Sequence, residues 1–241
     1  MDILPAIDLR AGKCVRLIQG DYHRQIDYDD DPVAVAKRFV KDGAQWLHSV
    51  DLDGAKEGEL KNLGPIRRIA QETSLKIEAG GGIRTQEAVN ALLEVGVERV
   101  VIGTRAIEDW AWFEDLVREP AHANRIVLGL DAREGLLATH GWIKQTSRTA
   151  IDVAEAVADW PLAAIVYTDI TRDGMLLGPN IEALRTLVDV AEVPVIAAGG
   201  VTDINDVKQL ATMQLGGIII GRAIYEGTLT LPDALAAVAS A

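Results

Sequence analysis

Short apolar runs alternate along this chain with longer segments in which apolar residues return every three or four positions. The runs are Ile3–Ile7, Trp46–Val50, Leu75–Ala79, Val100–Ile102, Arg125–Leu130, Ala163–Tyr167, Val195–Ala198 and Gly217–Ile220. They are near-continuously apolar and rich in Val, Ile and Leu, the pattern of parallel strands buried on both faces. Helical patterns separate them, over Pro32 to about Lys41, Asn62 to Gln71, Thr85 to Glu94, Trp110 to Val117 and Thr149 to Ala158. Two more helices start at Asn180 and near Leu231-Pro232. Pro32 stands in a first turn, where its missing N–H costs nothing. Leu9–Asp31, rich in charge and glycine, reads as a loop. Eight strands in strict alternation with helices predict an α/β chain closed into a single (β/α)₈ TIM barrel rather than an open sheet. The 241 residues suit one such domain, and no linker or composition shift divides them.

The pattern is also doubled. Gly81-Gly82 returns as Gly199-Gly200 (199 − 81 = 118), Ile102-Gly103 as Ile220-Gly221 (221 − 103 = 118), and Asp51 as Asp169 (169 − 51 = 118). Asp8 and Asp131 lie 123 apart, a small loop difference (131 − 8 = 123). The chain therefore reads as two half-barrels, approximately 1–122 and 123–241.

Barrels of this kind carry their chemistry at the C-terminal ends of the strands. The residues there are Asp8, Asp51, Gly81-Gly82, Gly103-Thr104, Asp131, Thr168-Asp169, Gly199-Gly200 and Gly221-Arg222. A glycine pair lets backbone N–H groups close on an anion with no Cβ in the way. One pair alone reads equally well as a tight turn. Two pairs in register predict two phosphate sites half a barrel apart, and so a long substrate with a phosphate at each end. Asp8 and Asp131, on strands one and five, face each other across the mouth, which suits one general base and one general acid. A strand-end Asp can also cap its loop or pair with an Arg, but the opposed, duplicated pair favours catalysis. Asp51 and Asp169 are open to similar roles, to holding loops, or to binding substrate hydroxyls, and the sequence does not rank the four acids. His48 precedes Asp51 by three, so strand alternation sends the two to opposite faces. Arg84 follows the first glycine turn within reach of an anion. Trp142, in the loop after strand five, can stack on a flat heterocycle. Trp46, Trp110, Trp112 and Trp160 read as packing residues, Asp27–Asp31 as a solvated or helix-capping run, and Cys14 as buried and inert.

Charge and composition then narrow the partners. A formal net charge of −12 argues against nucleic acid. An anionic small molecule needs local capture by backbone N–H groups and a few Arg. With Cys14 the only cysteine, an internal disulfide and a cysteine-cluster metal site are excluded. The four histidines are scattered, and no metal-ligand spacing, serine-hydrolase elbow or dinucleotide fingerprint occurs. The first residues lack signal-peptide features, and no apolar run approaches the ~18 residues of a membrane span. The expectation is a cytoplasmic monomer that binds no metal and acts on a small molecule with two phosphates. Two other classes fit parts of the pattern. One is a flavin-dependent barrel using the phosphate site after strands seven and eight; the duplicated first-half site argues against it. The other is a non-catalytic sugar-phosphate binder; the opposed Asp pair argues against that.

These residues also resemble a known family. The matching stretches are Pro5-Ala6-Ile7-Asp8-Leu9 with Gly12-Lys13-Cys14-Val15-Arg16-Leu17, Val50-Asp51-Leu52-Asp53-Gly54-Ala55, and Gly80-Gly81-Gly82-Ile83-Arg84. Gly129-Leu130-Asp131-Ala132-Arg133 with Gly141-Trp142, Tyr167-Thr168-Asp169-Ile170 with Arg172-Asp173-Gly174, and Gly221-Arg222-Ala223 continue the match. Together they are similar to the phosphoribosylformimino-5-aminoimidazole carboxamide ribotide isomerases of histidine biosynthesis, over essentially the whole chain. The resemblance implies a cofactor-free Amadori rearrangement of an aminoaldose to an aminoketose. It implies Asp131 as the general acid that opens the furanose ring and Asp8 as the general base at C2′. It further implies Thr168 as an aid to the acid, Trp142 as the stacking residue, and His48, Asp51 and Arg84 as pocket lining. The related cyclase shares the fold, the doubled phosphate sites and the paired Asp. Its first strand ends in a pattern like Asp-Val-Asp-x-Gly-Arg-Val-Val-Lys-Gly, where this chain has Ala6-Ile7-Asp8-Leu9-Arg10. Relatives that also isomerise phosphoribosylanthranilate carry Arg before the Gly-Trp pair, where this chain has His140. Action on both substrates remains the alternative.

Overall fold

A computed structural model describes residues 1–240. Barrel strands one to eight are Asp2–Arg10, Trp46–Asp51, Lys76–Gly80, Arg99–Ile102, Ile126–Arg133, Ala164–Asp169, Val195–Ala198 and Gly217–Ile220. Each pairs in parallel with the next. Strand eight pairs with strand one, from Asp2↔Gly217 to Pro5↔Ile220, and closes the ring. Alternation then divides the side chains. Leu4, Ala6, Val127, Ala164, Val166, Ile196 and Ile219 fill the barrel. Ile7, Leu47, Ile77, Ile102 and Leu128 point outward into the core shared with the helices. Burial on both faces is why the runs are apolar without a break.

The helices begin where side chains can serve their free N–H groups. Thr85, Thr149 and Asn180 accept from the N–H of Ala88, Asp152 and Ala183, so the helices proper start at Gln86, Ala150 and Ile181. Asp31 caps Pro32–Lys41 by accepting from Val33, which settles one end of the acidic run. Trp110, Phe113 and Trp160 pack together with ring centroids 5.0–6.2 Å apart.

Leu9–Asp31 is not a loop. Strand one runs past the mouth and folds back as an antiparallel pair, Lys13–Ile18 with Asp21–Asp29. Strand five does the same through Leu136–Thr139 and Lys144–Thr149. The outer strands Asp21–Asp29 and Lys144–Thr149 contain no fully buried residue. Backbone bonds hold them, and with no apolar face they leave no hydrophobic period to read. The first hairpin is pinned by Tyr28, which stacks on Tyr225 at 4.3 Å between centroids. Among the described residues, no helix is long and apolar enough to cross a membrane.

Candidate active site

Both glycine turns are tighter than a βα corner requires. Gly82 has φ +74° and Gly200 φ +90°. A Cβ at Gly82 would lie 2.5 Å from the Gly54 carbonyl oxygen, and one at Gly200 would lie 2.5 Å from that of Gly178. Gly81 presses on the Asp51 backbone in the same way. In each half the preceding βα loop therefore lies directly against the glycines. Gly103 (φ −105°, ψ −93°) and Gly221 (φ −106°, ψ −98°) share one backbone conformation. Each opens a short helix, Thr104–Glu108 or Arg222–Tyr225, whose first N–H groups have no helical acceptor. The result is two matching N–H cradles that open into one cavity at the barrel mouth. Their cations differ. Arg84 stands at the first, its guanidinium against Gly58. Arg222 stands at the second and donates to the Gly174 carbonyl at 2.6 Å.

Asp8 and Asp131 both line the cavity, from strands one and five of the ring. Asp8 is buried and accepts from Arg16 Nη1 at 3.0 Å. The other end of the same guanidinium bonds Asp173, a buried acid from the loop after strand six. Asp131 has a different environment. Burial raises its carboxyl above the ordinary value of 3.8, and donors on Trp142 and Thr168 offset part of that rise. Burial likewise raises Asp173, against the pull of Arg16. The mouth thus holds one carboxyl raised by burial and, opposite it, one held in an ion pair. Two carboxyls in contrasting surroundings are what a general acid and a general base need.

Asp51 and Asp169 do not join them. Both face out of the barrel and are buried in the loops that follow their strands. Asp51 accepts from the backbone N–H of Gly54, Lys61 and Asn62 and from Asn62 Nδ2, at 2.6–2.8 Å. Asp169 accepts from Thr171 and, at 2.7 Å, from Asn180 Nδ2. Asn62 and Asn180 are themselves 118 apart (180 − 62 = 118), so the duplication includes this clasp. Of the three readings left open, holding the loop is the one their geometry fits. Alternation fixes the difference: with His48 and Thr168 inside the barrel, Asp51 and Asp169 fall outside.

Trp142 reaches the mouth through strained backbone. His140, Gly141 and Trp142 have φ of +56°, +63° and +73°, three left-handed residues in a row. The ring lands on the first hairpin, where a Cβ at Gly20 would lie 2.6 Å from Trp142 Cε3. Thr104 Oγ1 accepts from the His140 N–H at 3.0 Å, so a residue expected at the first cradle also tethers this loop. Cys14 is buried and its thiol is pushed up to about 12, chiefly by desolvation, as suits an inert cysteine. Sequence reasoning missed Arg16, Asp173 and Tyr22 as cavity residues. Arg16 had a signal: it is a charge within the otherwise apolar stretch Cys14-Val15-Arg16-Leu17.

Known proteins resemble the chain along nearly its whole length. A family model described as "Histidine biosynthesis protein" matches residues 2–230. Three relatives share the name 1-(5-phosphoribosyl)-5-((5-phosphoribosylamino)methylideneamino) imidazole-4-carboxamide isomerase. That of Thermodesulfovibrio yellowstonii is 48% identical over 238 residues, 98% of this chain and 96% of its own. That of a Picosynechococcus strain is 47% identical over 243 aligned positions, covering 99% and 93% of the two chains. That of Oceanobacillus iheyensis is 45% identical over 235 residues, covering 98% and 97%.

Proposed function

The chain belongs to the histidine biosynthesis protein family and is an isomerase of the aldose–ketose kind; from that premise we propose how the barrel mouth performs the reaction. The substrate is the one in the relatives' name, an imidazole carboxamide carrying two phosphoribosyl groups. Each N–H cradle takes one phosphate, and the heterocycle lies between them under Trp142. The observation that carries this reading is the pair of opposed acids in unlike surroundings between two matching cradles.

Asp131 gives its proton to the furanose ring oxygen as the C1′–O bond breaks, and the amino nitrogen's lone pair forms the C=N bond. Asp8 then removes the C2′ proton. Those electrons form C1′=C2′, and the C=N pair returns to nitrogen, giving an enolamine. The proton held by Asp8 passes to C1′, and the 2′-hydroxyl returns a proton to Asp131 as the ketone forms. Both acids end as they began, and no atom is gained or lost. Thr168, in register beside Asp131 on the neighbouring strand, orients it, while Arg16 holds Asp8 in place.

The test is turnover of the aminoaldose by purified protein, with Asp8→Asn and Asp131→Asn beside it. Each variant is expected to lose roughly 10²–10⁴-fold in kcat, the usual share of a general acid or base. A folded wild type with no turnover, or an Asp131→Asn enzyme within threefold of wild type, overturns the mechanism. Phosphoribosylanthranilate in parallel reads out the dual-substrate alternative.

A further inference from the structure

Below the cavity, three polar side chains form one lateral row inside the barrel. His48 is in register with Glu78 across strands two and three, and Glu78 with Arg99 across strands three and four. His48 Nδ1 lies 2.7 Å from Glu78 Oε1. Arg99 Nε lies 2.7 Å from Oε2 but off the hydrogen-bond direction, so it supplies charge rather than alignment. The Arg99 guanidinium rests on the Trp46 ring at 3.9 Å from its centroid. Glu78 has no exposed surface.

The second half-barrel has no such row. The offset of 118 carries His48, Glu78 and Arg99 onto Val166, Ile196 and Gly217. Val166 and Ile196 belong to the apolar interior cluster. The same half-barrel is thus built without charge at these positions, and a buried ion pair is commonly no more stable than apolar side chains of similar volume. The strand pairing of the barrel therefore does not require the row. Of its members only His48 lines the cavity, which Asp131 and Asp173 also line.

We infer that Glu78, backed by Arg99, is a positioning residue for His48, fixing the imidazole through Nδ1–H and presenting Nε2 to the substrate. A carboxylate only accepts, so its bond to Nδ1 selects that tautomer. The two cradles match, and a single histidine set in one half gives an unsymmetrical substrate one sense of binding. The inference rests on the isomerase reading of the cavity.

The experiment combines ¹⁵N NMR of histidine-labelled protein with turnover of the aminoaldose, for wild type, Glu78→Gln, His48→Ala and the double variant. Wild-type His48 is expected in a single form protonated at Nδ1, and Glu78→Gln is expected to broaden or mix it. The kcat/KM of Glu78→Gln is expected to fall at least tenfold beside His48, yet to change by less than twofold in the His48→Ala background, because Glu78 acts through the ring. An equal loss in both backgrounds overturns the inference, and so does a wild-type His48 protonated at Nε2 alone. Should wild type show no turnover, the isomerase reading fails while the wild-type spectrum still decides what Glu78 does.

Discussion

Gly82→Ala separates backbone strain from close approach, because Gly135→Ala supplies the strain alone. Gly135 has φ +80° and nothing within 4 Å of an added Cβ. An L-residue in that region costs about 1–2 kcal/mol, and the loss of unfolded-state freedom returns about 0.4–1 kcal/mol. Gly135→Ala is therefore expected to destabilise by about 0.5–1 kcal/mol, or about 1–4 °C for a chain of this length. Gly82 has a similar φ of +74°, but its Cβ would stand 2.5 Å from the Gly54 oxygen, where ordinary contact starts at 3.4 Å. The Gly54 peptide must retreat by the difference, about 0.9 Å, and overpacking of that kind costs about 1–3 kcal/mol. The total of about 1.5–4 kcal/mol predicts a fall of about 3–16 °C by circular dichroism. The same retreat moves the first N–H cradle, proposed to hold a phosphate, and misplacement near 1 Å can cost about 10²-fold in kcat/KM. Equal melting temperatures for the two variants would refute the reasoning, since the loop would then have room the structure does not show.

Three further outcomes follow from the site. Burial raises Asp131, so the folded chain holds that proton more tightly than the unfolded chain. Its contribution to stability is complete below the ordinary pKa of 3.8 and is lost as pH rises through the raised value. Asp131→Asn is therefore expected to melt above wild type at pH 7, with the gap closing toward pH 3. Asp51→Ala leaves three buried donors, the Gly54 and Asn62 backbone N–H groups and Asn62 Nδ2, without that acceptor; at about 1–3 kcal/mol each, thermal melts are expected to show a loss of at least about 3 kcal/mol. Cys14, with its thiol pushed up to about 12, is expected to resist a thiol reagent at pH 8 until denaturant unfolds the barrel.

What the sequence disclosed depended on which faces an element buries. Val195–Ala198 and Gly217–Ile220 are observed with the bounds expected, because a strand buried on both faces is written as an unbroken apolar run. The hairpin strand Asp21–Asp29 was missed because its pairing is made by backbone, which side chains do not record. The internal repeat located both cradles, since glycines that touch neighbouring carbonyls cannot be exchanged for other residues without moving a loop. Asp51 and Asp169 were left unranked among the four acids, although alternation held the answer. Where His48 and Thr168 point inward, Asp51 and Asp169 must point outward.

Partners were harder to read than positions. Arg16 and Asp173 stand 157 residues apart and meet only because the barrel closes. No local pattern can name such a partner. A charge within a buried run nonetheless announces that one exists, since an unpaired buried ion costs several kcal/mol. Arg16 in Cys14-Val15-Arg16-Leu17 and Glu78 in Lys76-Ile77-Glu78-Ala79 both carry that signal. For Glu78 the chain supplies its own control: the equivalent position in the second half is Ile196, and that half-barrel packs without the charge. Where two copies share a strand pairing and only one carries the charged row, the pairing does not require the row. On the isomerase reading, the candidate reason is the one asymmetric object that the two halves are proposed to surround, the substrate.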